Sequence, residues 1–446
     1  MNVILITVDS LRFDDFMRFA RGTLALVKDG GALFTNAVAP GPSTSSSMAA
    51  MLTSEPPLEH GSYFSLSPRR TSIAEVFAMH GYACVCLQTN YFLRSKFGWA
   101  KGFHIYEELF PESKHTMKKI VEKLVKSGFL KPALRIMVSA GLVGLDKPIC
   151  RADVLFNRAL ALIARFKRPM FLWMHLMDVH APFVPSDRAI AKVFSSKVSR
   201  ADVLSSNLRW IYEPERLKED DIRLLRSLYR AEIVSLDEKL SEFINRLLEL
   251  LDPQDICMAI TADHGEEFWD HGGHDHEAKL YDELIHIPLL LICPGLSETK
   301  IIKAPVSLMD LPPTLISLAL GSGAISPRWW GIDLSPALAG KALSPRRGVL
   351  SEVAHREPWK IDLGCLKVSA RSGRWKVIYD AEKRGYEVYD LASDPHERRN
   401  IALLAPQDPE LKALFSMVRK RVLVLRLRFR IRKRFKRVRD AQRNEG

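Results

Sequence analysis

The sequence predicts an α/β fold: a three-layer sandwich around a mostly parallel central sheet, with a small C-terminal antiparallel subdomain. Three observations carry this. Five apolar runs of strand length occur at 2–8 (NVILITV), 82–88 (YACVCLQ), 170–176 (MFLWMHL), 256–262 (ICMAITA) and 287–293 (IPLLLIC). They are continuous, as expected of strands buried on both faces. Between them lie stretches of helical periodicity at 73–80, across most of 116–165 with a Lys-rich exposed face, and at 217–251. Strands alternating with helices imply a parallel sheet covered on both sides. From about residue 346 the pattern changes to short segments with turns, KVSARSGRWKVIYD and GYEVYDLASD, which read as antiparallel strands. The expected organisation is a main domain over 1–345, a small α+β subdomain over 346–405 and a basic, helix-prone tail over 406–446.

Composition narrows the class. With 47% hydrophobic and 26% charged residues among 446, the chain has an ordinary globular balance. No apolar run approaches the length of a membrane span. MNVILITVDS reads as a strand and not as a secretion signal, so a cytoplasmic location is expected. The six Cys are scattered, mostly in apolar runs, and read as reduced core thiols. The formal charge of +13 is concentrated at one end: from Arg419 onward there are thirteen Lys/Arg against Asp440 and Glu445. In LRLRFRIRKRFKRVRD, cations interleave with Leu, Phe, Ile and Val. This suits a peripheral contact with an anionic membrane, at the inner face for a cytoplasmic protein. The plain alternative is a solvated tail. Nucleic acid is disfavoured, because no nucleic-acid module accompanies the charge.

The polar residues at strand ends are not scattered. Asp9, Asp178 with His180, and Asp263 with His264 each follow a predicted strand. In open α/β sheets the C-terminal strand ends converge on the edge where ligands bind. One such Asp is often only a helix N-cap; three ends carrying carboxylate and imidazole point to a site. The stretch 41–61, GPSTSSSMAAMLTSEPPLEHG, supplies hydroxyls at Ser43, Thr44, Ser45, Ser46 and Ser47 before a helix-like MAAML. A bare hydroxyl is a poor nucleophile at neutral pH. Asp9, Asp263, His264 and one loop hydroxyl would make a four-ligand site for a divalent metal ion. Bound there, the hydroxyl would become nucleophilic and charge on a transferring anion would be offset. Oxygen ligands favour calcium, magnesium or manganese, and the imidazole shifts the balance toward manganese or zinc.

Taken in order, NVILITVDSLR, MFLWMHLMDVHAPFVP, TADHGEEFWDHG, LYDELIHIPLLL, VSLMDLPPTLISLAL and GYEVYDLASDPHERRNIA resemble the successive motifs of the sulfatase branch of the alkaline phosphatase superfamily. The resemblance runs to about residue 405. It implies a metal-dependent hydrolase with Asp9, Thr44, Asp263 and His264 as metal ligands. Setting the family's L-T-G threonine on Thr53 puts the nucleophile at Thr44, leaving Ser43, Ser45, Ser46 and Ser47 as loop-forming or substrate-facing hydroxyls, with a solvated loop residue as the plain reading of each. By the same resemblance His180 contacts the substrate anion or leaving group, and His276 and His271 match family histidines and are candidate acids or bases. A second metal held by Asp178, His180 and this cluster is a further reading. His60 and His286 are expected to be structural. Lys279 sits one residue out of register with the family's leaving-group lysine.

The departures are informative. Thr44 stands where sulfatases carry the Cys or Ser that becomes formylglycine, and threonine cannot undergo that oxidation. Met48 replaces the following Arg, Ser10 replaces the second Asp of the D-D pair, and LQTNYFLRS, with Asn90, replaces the Lys-x-His segment. A metal-bound Thr nucleophile resembles the superfamily's phosphodiesterases, phosphonate hydrolases and phosphoglycerol transferases. The expected substrate is therefore a small anionic ester, foremost a phosphodiester or phosphonate ester. Sulfuric ester hydrolysis, phosphoglycerol-type transfer and a non-catalytic binding role are the alternatives.

Overall fold

The computed structural model describes residues 1–110 and 149–444, apart from 29, 167–168, 277, 344–345, 357–358 and 405–406. The helical expectation for 116–148 lies outside the described residues. β1 (Asn2–Val8), β2 (Gly31–Val38), β3 (Ala83–Gln88), β4 (Ile105–Glu108), β5 (Met170–Leu176) and β6 (Ile256–Ala262) enter the central sheet. So do β9 (His286–Ile292), β10 (Thr299–Ile302) and β11 (Val306–Ser307), while β7 (Glu267–Phe268) and β8 (His274–Asp275) form a separate hairpin. The order is β10-β2-β9-β6-β1-β5-β3-β4, with β11 also on β2.

All five strands read from sequence are present, and helices Ile73–Met79, Ala152–Ile163 and Glu219–Leu250 fall within the predicted helical stretches. β1 sits between β5 and β6, parallel to both, and Val3, Ile4, Leu5, Ile6 and Val8 are at most 1% exposed. Each such side chain contributes about 1.5–3 kcal/mol by burial. Two features were not legible in the sequence. β2, GALFTNAV, has mixed polarity and Gly at its start, yet it is an inner strand. β9 runs antiparallel to both β2 and β6, so the sheet is mixed on that side. The six Cys are free thiols, as expected.

The second sheet is antiparallel: β12 (Val349–Val353), β13 (Lys367–Arg371), β14 (Trp375–Asp380) and β15 (Gly385–Asp390). Strand alternation gives it two working faces. Lys376, Ile378 and Asp380 of β14 turn toward the main domain, whereas Tyr379 meets the helix Pro409–Asn444 through Arg426. Leu411, Leu414, Val418, Val422 and Leu425 of that helix are buried, and it packs on β13 and β14.

A buried ionic cluster ties the second sheet to the main domain. Lys376 Nζ lies 2.8 Å from Asp282 Oδ1 and 2.8 Å from Glu397 Oε1, and Arg371 Nη2 lies 2.9 Å from Asp282 Oδ2. Glu397 also accepts the Asp282 N–H at 2.5 Å. Burial pushes the Glu397 carboxyl up to about 7, and Lys376 opposes that rise. The signature DPHERRN therefore works as a clasp: Glu397 holds this cluster, and Asn400 Oδ1 accepts the Val388 N–H of β15. Removing one member leaves a buried charge uncompensated. Lys376→Met should lower the unfolding free energy by about 3 kcal/mol in chemical denaturation.

Candidate active site

Four adjacent strand ends supply the polar groups. Asp9 follows β1, Asn90 follows β3, His180 follows β5, and Asp263 and His264 follow β6. The ends are stitched together: Asp9 N–H donates to Leu176 O at 2.9 Å and Asp263 N–H to Val8 O at 3.3 Å. Ser10 turns the chain with φ of 62°, a strained conformation for a residue bearing Cβ. Its N–H donates to Asp263 Oδ1 at 3.3 Å, its hydroxyl to Asp9 Oδ1 at 3.0 Å, and its carbonyl accepts from Tyr229 of the long helix at 2.9 Å. In the Asp-His-Gly run, a Cβ on Gly265 would lie 2.0 Å from Glu283 O, so no side chain fits there.

Thr44 arrives from β2. Helix Thr44–Met51 begins at Thr44 itself, so the hydroxyl residues form its first turn and are not a loop before it. Ser45, Ser46 and Ser47 are buried, against the expectation of solvated residues, and Ser43 is half-buried. Ser46 is held there by capping, its Oγ accepting the Ser43 N–H at 3.2 Å and donating to Ser43 O at 2.9 Å. Thr44 Oγ1 donates to Asp9 Oδ2 at 3.1 Å and lies 3.4 Å from His264 Nε2. Asn90 Nδ2 donates to the same Asp9 oxygen at 2.9 Å.

Asp9, Asp263 and His264 are fully buried, and one ligand atom from each falls within 4.8 Å of the others. Burial, followed by the neighbouring Asp9 charge, pushes the Asp263 carboxyl up to about 7. Asp9 is held below the usual carboxylate range, because His180, His175 and His264 outweigh its burial. Burial lowers His264 to about 4, with His276 acting in the same sense. A neutral imidazole is the form that ligates metal. Asp263 Oδ2 has no hydrogen-bond partner among the described residues. Two buried carboxylates, a neutral imidazole and a hydroxyl around one orphaned oxygen fit a divalent cation.

His180 and His276 stand beside this cluster, with ring centroids 5.3 Å apart, and His276 is 4.5 Å from His264. Asp275, at φ 65°, pairs with His276 Nδ1, and Glu266 Oε1 lies 3.7 Å from the same atom. Burial alone would lower His276, but Asp275 and Glu266 hold it well above the ordinary imidazole value. Asp178 does not join this group. Its Oδ2 accepts the N–H of Ala152, the first residue of helix Ala152–Ile163, at 2.8 Å, a contact from outside that helix, whose N-cap is Arg151. His271 is engaged on both nitrogens, by Glu283 Oε1 at 2.5 Å and Glu397 O at 3.0 Å, and it stacks on Tyr281. Lys279 is tied to Glu267 at 2.7 Å. His60 pairs with Glu55, and His286 bonds Thr35 O.

Sequence reading gave no role to His175, Glu266 or Asp275. His175 Nε2 lies 3.2 Å from Asp9 Oδ2, and Thr7 Oγ1 meets its Nδ1 at 2.9 Å. The available signal was a lone imidazole inside the apolar run MFLWMHL. A cavity of 720 Å³ opens over Ser43, Thr44 and Ser45. One wall is Phe64, Phe92, His271, His274 to His276 and Ala278 to Tyr281; the other is His355, Arg356, Lys367, Asp380, Glu382 and Lys383 of the second sheet and its loops.

Residues 1–322 match the Sulfatase family profile. The chain belongs to the sulfatase family. Mouse arylsulfatase K is 30% identical over 205 residues, covering 43% of this chain and 35% of that protein. The choline-sulfatase of Rhizobium meliloti is 29% identical over 193 residues, covering 43% and 36%. The chain thus spans little more than a third of these curated relatives. A phosphonate monoester hydrolase of Agrobacterium radiobacter superposes with a TM-score of 0.69 at 20% identity, over 96% of this chain and 95% of that one, a likeness of fold. Enzymes of this family use a divalent metal, and the chain has the donor set for one.

The paired carboxylates make a pH-dependent prediction for metal-free protein. Asp263 is raised in the folded state, so folding takes up a proton above the ordinary carboxylate value. The Asp263 contribution to stability is therefore full below about pH 4 and is lost as pH rises through about 7, whereas that of Asp9, held below its ordinary range, is present above about pH 4 and is lost as pH falls. At pH 8, metal-free Asp263→Asn should exceed wild type by roughly 2–4 kcal/mol. Added divalent metal should raise the melting temperature of wild type but not of Asp263→Asn, read by calorimetry.

Proposed function

We propose that this sulfatase-family chain hydrolyses a phosphodiester or phosphonate ester, with Thr44 as the nucleophile. The observation that carries the reading is the position of Thr44 Oγ1, 3.1 Å from Asp9 Oδ2 and 3.4 Å from His264 Nε2, in the lining of the cavity. Thr44 occupies the family's nucleophile position with a residue that cannot become formylglycine. A divalent cation held by Asp9, Thr44, Asp263 and His264 would lower the pKa of the Thr44 hydroxyl and offset charge on the reacting group.

The chain's own residues then divide the work. Thr44 passes its proton to Asp9 Oδ2, which already accepts its hydrogen bond, as the bond from Oγ1 to phosphorus forms. The bond from phosphorus to the ester oxygen breaks in line with it. His276, kept protonated by Asp275 and Glu266, donates a proton to the leaving oxygen. Once neutral, it takes a proton from water, which attacks phosphorus; the bond from phosphorus to Thr44 Oγ1 breaks, and that oxygen recovers its proton from Asp9. His180, whose ring stands 5.3 Å from that of His276, stabilises the developing charge. His271, with both nitrogens occupied, acts as a positioning residue for the cavity wall.

Sulfuric ester hydrolysis is the second reading, favoured by the relatives named arylsulfatase K and choline-sulfatase. A panel of aryl phosphodiester, phosphonate, phosphomonoester and sulfate esters, with manganese, zinc, magnesium or calcium, separates the two. Turnover confined to sulfate esters overturns the phosphorus-ester reading. Thr44→Ala should lower kcat/KM by about 10³-fold or more, and activity surviving that change excludes Thr44 as nucleophile. His276→Ala should lower kcat by about 10²-fold for alkyl leaving groups and far less for nitrophenyl esters, which depart without a proton.

A further inference from the structure

The helix Pro409–Asn444 has three kinds of surface. One face is core: Leu411, Leu414, Val418, Val422 and Leu425 are buried, and Phe415 meets Tyr386 with ring centroids 5.4 Å apart. A second group of side chains locks the helix to the main domain. Arg421 is buried between Glu352 at 2.7 Å and Glu59 at 3.1 Å, Arg428 pairs with Glu59, and Arg432 donates to Glu59 O at 2.9 Å. These arginines account for part of the tail's charge as internal structure.

The third surface has no partner among the described residues. Leu423, Leu427, Ile431 and Phe435 recur every four residues and are 68%, 55%, 45% and 72% exposed. A spacing of four keeps them on one outward stripe that winds slowly around the helix, opposite Val418, Val422 and Leu425. Beside it runs a row of exposed cations, Arg419, Arg430 and Lys433, with Lys420 and Arg434 in the stripe itself; Arg426, in the same row, is held by the Tyr379 hydroxyl at 2.6 Å. A solvated helix has no use for four large apolar groups in water, and single exposed apolar residues are ordinary only when scattered. A core-facing helix would have buried them.

We propose that this face docks on the surface of a bilayer containing anionic phospholipid. The helix would lie in the interface plane, with Leu423, Leu427, Ile431 and Phe435 among the acyl chains and the flanking cations on the headgroup phosphates. The occupant follows from complementarity. The stripe needs an apolar phase, and the cations beside it need anions at its boundary; an anionic membrane surface offers both in one plane. No helix among the described residues is long and apolar enough to cross a membrane, so the contact is peripheral. Because the opposite helix face packs on β13 and β14, and Ile378 and Asp380 of β14 line the cavity, the docked helix is joined to the cavity wall by a single sheet.

The test is flotation of the full chain with phosphatidylcholine vesicles, with and without phosphatidylglycerol. Wild type should float only with phosphatidylglycerol present and should be released by salt. A variant carrying Leu423→Ser, Leu427→Ser, Ile431→Ser and Phe435→Ser keeps every cation and should bind at least about tenfold more weakly. A second variant, Arg430→Gln, Lys433→Gln and Arg434→Gln, keeps the stripe and should lose binding by a similar factor. Both should melt as wild type does, since none of these side chains is buried. Equal flotation with neutral vesicles, or none with either, overturns the proposal. So does a stripe variant that binds as tightly as wild type, duplex DNA that displaces the protein from vesicles, or a wild-type dimer that the stripe variant dissolves.

Discussion

Asp9 and Asp263 share a fully buried space, and most of the site is arranged around that repulsion. A buried carboxylate is costly unless paired, and two side by side cannot both ionise without a counter-charge. Every neighbour moderates this pair. Ser10 donates to both, Asn90 and Thr44 donate to Asp9, and His175, His180 and His264 crowd around it. What remains is an orphaned Asp263 oxygen and a site whose donors match a hard divalent ion. The geometry that holds Thr44 against Asp9 belongs with the same constraint, since its hydroxyl donates to one of the two crowded carboxylates.

A second layer of structure serves that layer. Tyr229 supports the strained Ser10 turn from the long helix, and Arg12 reaches both Glu266 O and Asp270. The clasp of Lys376, Asp282 and Glu397 presses the second sheet against the main domain, and His271 bonds the same Glu397 residue through its carbonyl. The cavity wall opposite Thr44 is thus held by ionic contacts distant in sequence. The Pro409–Asn444 helix completes the stack from the other side of the sheet, with Arg421 buried against Glu352 and Glu59.

The apolar runs determined the strands, because a strand buried on both faces leaves no freedom of composition; β1, β3, β5, β6 and β9 were legible for that reason. The polar residues directly after them were legible too, since in a parallel sheet the chain leaves each strand at the same edge. Asp9, Asp263 and His264 therefore needed no coordinates to be grouped, and the motif register put Thr44 beside them, where its Oγ1 lies 3.1 Å from Asp9 Oδ2. Three things were decided only in the tertiary structure. β2 is held inside the sheet by its neighbours despite a weak pattern, and β9 reverses direction, which period-two or continuous apolarity does not encode. His175, Glu266 and Asp275 gain meaning only from what stands within a few ångströms, because a lone imidazole or carboxylate in sequence has no partner to define it. The tail's composition announced a basic helix, but which arginines pair inward and which leucines are left facing out depends on where Glu59, Glu352 and the second sheet lie. That division is a property of packing, fixed by contacts some seventy to several hundred residues apart.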